Sequence, residues 1–374
     1  MKKIRIGIIG LGNCASSLLQ GIEYYKHNPS PEGIMSPDIG GYTMTDIEPV
    51  LAIDVDSRKV NKPVNEAIWA KPNCTMVFQK DLPWDFKVVQ GPRLDGITDV
   101  MANYPEDEAF RAAEDHPALS IAVKEAIRKA QPDMLINYLP VGSQKATEFY
   151  AELCIELKIP FLNCIPVFIA SNPVWEKRFI EAGIPLIGDD MKSQFGASIL
   201  SQVLQELAFS RGHKVNCHIQ QNFGGNTDFL NMTDNDRLQS KKISKENVIR
   251  SQNDIHDIKD EAFLFAGPSD YIAYYKDNKI ANFRIEMEGF GGAPVTLDAK
   301  LSVQDSPNSA GVVIDAIRYL KTAQEMGIVG SLRGPSAWTQ KTPPLQMSSM
   351  DAKSECESLA NRQLTDITVE QKIN

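Results

Sequence analysis

A short apolar run, Ile4-Arg-Ile-Gly-Ile-Ile9, leads straight into Gly10-Leu-Gly12-Asn-Cys-Ala15-Ser-Ser17, and this junction constrains the fold more than any other stretch. The run reads as a buried first strand. The residues after the glycines read as a helix, because Ala15, Leu18, Leu19 and Ile22 fall at i, i+3, i+4 and i+7. Gly10-x-Gly12-x-x-Ala15 is a dinucleotide fingerprint with alanine in its third slot. Gly10 permits the tight turn, Gly12 lets the backbone approach a pyrophosphate, and Ala15 allows close helix–strand packing. The N–H groups and dipole at the helix start favour the phosphates. Asn13 and Cys14 lie inside the same loop and are grouped with these as candidate cofactor contacts.

The pattern continues as a doubly wound sheet would require. Val50–Asp56 reads as the second strand and ends in acids, which would bond the adenosine ribose and repel a 2′-phosphate, favouring NAD over NADP. Asp54 is the first choice and Asp56 the second; either could instead cap the next helix. The interval from the glycines, usually about 20 residues, is roughly doubled, so the Pro- and Gly-rich stretch 26–47 is expected to be a long inserted loop. Residues 60–118 yield little, and Gln90–Gly96 is a turn without a legible purpose. Helices are then expected near 119–130, over 144–157 and from Pro173. They alternate with strands at Met134–Leu139, Pro160–Asn163 and Ile184–Gly188. Such alternation predicts a Rossmann-type, doubly wound parallel sheet with ligands at the carboxyl ends of its strands. Asn137, Ser143, Asn163, Asp189 and Asp190 sit at such ends.

Beyond residue 193 the period changes. A helix through Ile199, Leu200, Val203, Leu204 and Leu207 is expected to stop at Arg211-Gly212. Three runs then alternate with period two: Val215/Cys217/Ile219, Phe283/Ile285/Met287 and Val295/Leu297/Ala299/Leu301/Val303. They predict an antiparallel sheet with one buried face. A helix near 309–325 is expected to return the chain to the first domain. The fold class is therefore α/β, with an α+β domain of residues 200–305 inserted into a discontinuous Rossmann-type domain, 1–199 and 306–374. The polar tail after 345 is expected on the surface.

With 374 residues the chain is long enough for two such domains. A net charge of −9 without a basic run argues against nucleic acid as a partner, so an anionic substrate would need a locally basic pocket. Six scattered cysteines show neither disulfide nor metal-ligand spacing. No secretory leader or bilayer-length apolar run stands out, so a cytoplasmic protein without a membrane partner is expected. Against this acidic background one stretch is notable: Asn222-Phe-Gly-Gly-Asn226-Thr-Asp228-Phe-Leu-Asn231, then Ser240-Lys-Lys-Ile-Ser-Lys245. Lys241 and Lys245 project together if helical, and their mutual repulsion is relieved when an anion lies between them. A solvated basic face is the plainer alternative. With Lys192, Lys279 and Lys341 they form a supply of cations suited to a phosphate beside a developing oxyanion.

These strings resemble the myo-inositol-1-phosphate synthases, particularly their shorter prokaryotic branch. The resemblance runs almost end to end through GLGNCASS, YLPVGS, LNCIPVFIASNP, GDDMKSQFGAS, NFGGNTDFLNM, SKKISK, GPSD and QDSPNSAGVVIDA. The glycine loop departs from the GxGGNxG pattern of the longer eukaryotic members, so their loop contacts do not transfer.

The resemblance implies a redox-neutral, NAD-dependent cyclisation of D-glucose 6-phosphate to 1L-myo-inositol 1-phosphate by a homotetramer. It implies catalytic roles for Lys241, Lys245, Lys279 (with Lys276 as a possible misregister), Lys341 and Asp305. Substrate binding falls to Asn222, Asn226, Asp228 and Lys192. Cofactor binding falls to the glycine loop, Asp54, Asn137, Ser143 and Asp190. The proton on sugar carbon 6 is then expected to go to the substrate's own phosphate, so no histidine base is required. A divalent or monovalent cation is a further candidate, with Asp190 and Ser306 as candidate holders, and no ligand cluster decides it. A relative making another cyclitol, or acting as a plain sugar-phosphate dehydrogenase, is the alternative enzyme. A nucleotide-sensing protein that lost its chemistry is the alternative from another class.

Overall fold

The computed structural model describes residues 3–28, 30–234, 249–250 and 262–372. One sheet is wholly parallel: β1 (Ile4–Ile9), β2 (Ile47–Asp54), β3 (Val89–Gln90), β4 (Met134–Asn137), β5 (Phe161–Asn163), β6 (Pro185–Ile187) and β11 (Gly330–Ser331). Its order is β11-β6-β5-β4-β1-β2-β3. The order reverses at β1, and in doubly wound sheets that switch point opens the ligand crevice. Ile9 is level with Ile53 and with Asn137, so the chain ends of β1, β2 and β4 open along one edge.

Among the described residues, helices of ten residues or more are numbered α1 to α7. On one face α1 (Asn13–His27), α6 (Asp305–Met326) and α7 (Ser349–Ala360) bury their apolar sides with Ile6, Ile8 and Ile136. On the other, α2 (Leu119–Ala130), α3 (Gln144–Leu157) and α4 (Pro173–Ala182) cover Ile9, Leu135, Phe161 and Leu186. Because both faces are covered, the strands are continuous apolar runs rather than alternating ones.

The second sheet holds β7 (Lys214–Gly224), β8 (Phe263–Tyr271), β9 (Asn278–Glu288) and β10 (Pro294–Gln304), in the order β10-β9-β7-β8. It is mixed: β10, β9 and β7 are antiparallel neighbours, whereas β8 runs parallel to β7. Gly267-Pro-Ser-Asp270, read from sequence as a turn, lies inside β8 beside an irregularity at Asn222/Phe223. A proline is tolerated there because β8 is an edge strand.

Two further expectations need correction, and one loop is held in an unexpected way. The inward face of α5 (Ala197–Ser210) carries Ala197, Leu200, Ser201, Leu204, Gln205 and Ala208, while Val203 and Leu207 are exposed. Polar residues on the buried face misled the periodicity. The tail is not merely superficial either, since Ala352, Cys356 and Leu359 of α7 are core residues. The loop after α1 is pinned by Arg318 of α6, which is fully buried. Its guanidinium donates to the carbonyls of Ser36 (2.7 Å), Pro37 (3.2 Å) and Tyr42 (3.2 Å) and to Asp315.

Candidate active site

The glycine loop is built as a backbone cradle. Gly10 has φ +86°, and a Cβ there would meet the Tyr138 carbonyl oxygen at 2.7 Å, so only glycine fits. A Cβ at Gly12 would meet nothing within 4 Å, because it would project into open space at the start of α1. The first N–H groups of a helix have no partner within it, and no acid occupies the first turn of α1. Asn13 Oδ1 accepts from the Cys74 and Thr75 amides (2.6 and 3.0 Å), tying the loop to the segment between β2 and β3.

Asp54 closes one side. Its carboxylate accepts from the amides of Leu11 (2.6 Å), Val55 (2.7 Å) and Asp56 (2.8 Å). A carboxylate has about four acceptor sites, so room remains for a ribose hydroxyl. Asp56, the second choice, is buried and ion-paired with Arg58 at 2.6 Å, outside the cavity. The loop, Asp54 and the open edge of β4 together fit a dinucleotide.

The same cavity continues to the second sheet. It is lined by Gly10, Gly12, Asn13, Cys14, Ala15, Asp54, Asp190, Asn222, Asn226, Asp228, Lys279, Asp305 and Lys341. Sequence reasoning proposed each of these, and the fold brings them together. Lys341 Nζ pairs with Asp190 Oδ1 at 2.8 Å, and its amide donates to the Asp190 carbonyl at 2.8 Å. Asp190 holds φ +64° between those contacts, a conformation that non-glycine residues seldom adopt. Lys279 Nζ pairs with Asp305 Oδ1 at 3.1 Å, joining β9 to the start of α6. Asn226 caps a short turn through the Asp228 and Phe229 amides and donates to Asp277 at 3.1 Å. Burial pushes the Cys14 thiol up to about 12, with Asp277 and Asp305 adding to it, so it is no nucleophile at neutral pH.

Three expected site residues face elsewhere. Asn137 is buried against Thr147 and Asn163, bonding them at 3.2 and 2.9 Å. Ser143 is buried and donates to the Pro140 carbonyl at 2.6 Å, with Gly96 packed over it. Asp95 explains why: its carboxylate takes the Lys145 and Ala146 amides (2.6 and 3.0 Å), so the start of α3 is already capped. That is the purpose of the Gln90–Gly96 turn. Lys192 is buried outside the cavity lining, donating to the Ala337 carbonyl at 2.8 Å. Burial takes its ammonium down to about 8, with neighbouring Lys341 adding to the shift. Asp189 is likewise structural, accepting from Asn163 and from the Ile169, Ala170 and Ser171 amides. Lys241 and Lys245 lie outside the described residues.

Sequence reasoning missed Asp277. Buried behind the cavity wall, it accepts from Asn226 Nδ2 and from Ser306 Oγ (2.8 Å) and the Ser306 amide (3.2 Å). Burial raises its carboxyl to about 6, and Asp305 adds to the rise. Its position two residues before Lys279 was the available signal. Among the described residues no group of three His, Cys, Asp or Glu could hold a metal.

Comparison with known proteins agrees with this architecture. A family profile described as Myo-inositol-1-phosphate synthase matches residues 196–306. The inositol-3-phosphate synthase of Mycolicibacterium smegmatis is 42% identical over 361 residues, covering 95% of this chain and 97% of that one. That of Corynebacterium glutamicum is 42% identical over 351 residues, covering 92% and 94%. The chain belongs to the inositol-3-phosphate synthase family. It is thus an enzyme of the synthase class. The fold is shared with a myo-inositol-1-phosphate synthase-related protein from Thermotoga maritima, at a TM-score of 0.81 and 23% identity over 97% of this chain and 100% of that one. No described helix is long and apolar enough to cross a membrane.

Proposed function

We propose that this chain converts D-glucose 6-phosphate to 1L-myo-inositol 1-phosphate with NAD as a recycled cofactor. The observation that carries the reading is one cavity that joins a glycine cradle on the first sheet to Lys279, Lys341, Asn222 and Asn226 from beyond it. When bound, NAD would supply reversible hydride transfer for the sugar. The chain's own residues have the remaining work. Gly10, Gly12, Asn13 and the start of α1 would seat the pyrophosphate, and Asp54 the adenosine ribose.

Asn222, Asn226 and Asp228 would hold sugar hydroxyls. Lys279 and Lys341 would stabilise the oxyanion that develops at oxidation, enolisation and aldol closure, each ammonium held in place by its carboxylate partner. Lys241 and Lys245 would join them as the paired lysines. The proton on carbon 6 would pass to the substrate phosphate. Lys192, turned to Ala337, would act from behind Lys341 rather than on the sugar. Residues 200–305 would form the catalytic and oligomerisation domain of a cytoplasmic homotetramer, inserted between cofactor-binding parts 1–199 and 306–374. Asp190 and Ser306 are the candidate holders should turnover require a cation.

Incubation with glucose 6-phosphate and NAD, with carbon NMR of the product, tests the reading. A phosphorylated cyclitol formed with a catalytic level of NAD supports it. Stoichiometric NADH and a keto-sugar would replace it with a plain dehydrogenase.

A further inference from the structure

Between α5 and β7 runs a row of polar side chains where apolar packing is the ordinary solution. His218, Gln220 and Asn222 fall on one face of β7 by its period of two, and Ser201 and Gln205 are one turn apart on α5. All five are buried. Burying such groups is tolerated only if each is bonded, and these are bonded to one another. Asn222 Nδ2 donates to the Gly267 carbonyl at 2.7 Å. Gln220 Nε2 donates to Asn222 Oδ1 at 3.1 Å, and Ser201 Oγ donates to Gln220 Oε1 at 2.8 Å. His218 Nδ1 lies 2.8 Å from Gln205 Oε1, an acceptor, so Nδ1–H donates there, and His218 Nε2 lies 3.0 Å from Ser201 Oγ.

The polarity of this row is forced from one end. A backbone carbonyl can only accept, so Asn222 must turn its amide nitrogen to Gly267 and its oxygen to Gln220. Gln220 then offers nitrogen to Asn222 and oxygen to Ser201. Ser201 Oγ stands between two acceptors, Gln220 Oε1 and His218 Nε2, and supplies the one proton that they share. Burial lowers His218 to about 4, so the ring is neutral and its one proton is the one Nδ1 gives to Gln205 Oε1. Only Gln220 and Asn222 of the five line the cavity.

We propose that Ser201 is a positioning residue: the Gly267 carbonyl sets the flip of Asn222, and Ser201, by donating to Gln220, holds Gln220 against Asn222 Oδ1 and so keeps that carboxamide placed towards the sugar. This rests on the reading of Asn222 as a substrate contact.

Two substitutions test it. Ser201→Ala removes the donor that orients Gln220. Gln220→Glu keeps an acceptor for Ser201 but puts a second acceptor against Asn222 Oδ1 until the introduced carboxyl is protonated. Ser201→Ala is expected to lower kcat/KM for glucose 6-phosphate about tenfold, with NAD affinity and Tm near wild type. Gln220→Glu is expected to lose activity as pH rises through the titration of the new carboxyl and to recover towards wild type below it. A Gln220→Met control, which has nothing to titrate, should show no such pH dependence. Wild-type kcat/KM and pH profile in both Ser201→Ala and Gln220→Glu would overturn the proposal. So would parallel loss of NAD and sugar binding in Ser201→Ala. A wild-type enzyme that does not turn over glucose 6-phosphate would instead overturn the functional reading beneath it.

Discussion

Gly10 and Gly12 look alike in sequence, and the structure separates their duties. At Gly10 any side chain strikes the Tyr138 carbonyl and the φ of +86° is strained for an L-residue. Gly10→Ala is therefore expected to destabilise the fold by about 1–3 kcal/mol, measurable by urea unfolding. Gly12→Ala should leave that unfolding curve unchanged, since its Cβ meets open space. It should nevertheless weaken NAD binding about tenfold or more by calorimetry, because the methyl occupies the pyrophosphate's approach.

Lys192 gives a second separation, by pH. Its folded pKa of about 8 lies below the ordinary 10.5, so between those values the unfolded chain holds a proton that the folded chain has lost. Stability then rises with pH across that window. Lys192→Met lacks the rise. The melting temperature of wild type relative to this variant should therefore climb as pH goes from about 8 towards 10.5, and parallel curves would remove the argument for a burial-depressed amine.

At the scale of elements, what was legible followed the periodicity. Strand β1 and helix α3 fall where their apolar spacing puts them, Ile4–Ile9 and Gln144–Leu157. Strand β8 escaped because Gly267-Pro-Ser-Asp270 carries turn composition within an edge strand. α5 was placed correctly but rotated wrongly, since Ser201 and Gln205 occupy its inner face. Asn137 ends β4 as predicted, whereas Ser143 lies beyond the strand, directly before α3; local bonds spend the polar atoms of both, and sequence position alone does not say where a side chain turns.

The loop between α1 and β2 shows the same limit. Its Pro and Gly content gave no hint that Arg318, nearly 300 residues on, holds it from inside the core. Removing one partner of a buried ion pair costs about 3–5 kcal/mol. Arg318→Met should cost this much in urea unfolding and expose residues 31–42 to limited proteolysis, whereas a shift under about 1 kcal/mol would show that the clamp is incidental.

At the scale of the whole molecule, the cavity takes its glycine cradle and Lys341 from the half built on the parallel sheet and Lys279 from the other sheet. The glycine cradle and Asp54 belong to the parallel sheet, whose core stands on its own helices. Lys279 sits on β9, with Asp305 at the point where the chain turns back towards α1. The cradle takes its shape from bonds within its own half, so removing a charge from the other should not dismantle it. Lys279→Ala and Lys245→Ala are accordingly expected to bind NAD within about twofold of wild type, since neither residue belongs to the glycine cradle. Product formation should fall by about 10²-fold or more, the range seen when one preorganised oxyanion donor is lost. Titration calorimetry with NAD, paired with product quantification by NMR, separates the outcomes. Variants that lose NAD together with product would mean that the lysines support the cofactor, and a variant that keeps full activity would mean that its ammonium lies outside the reaction.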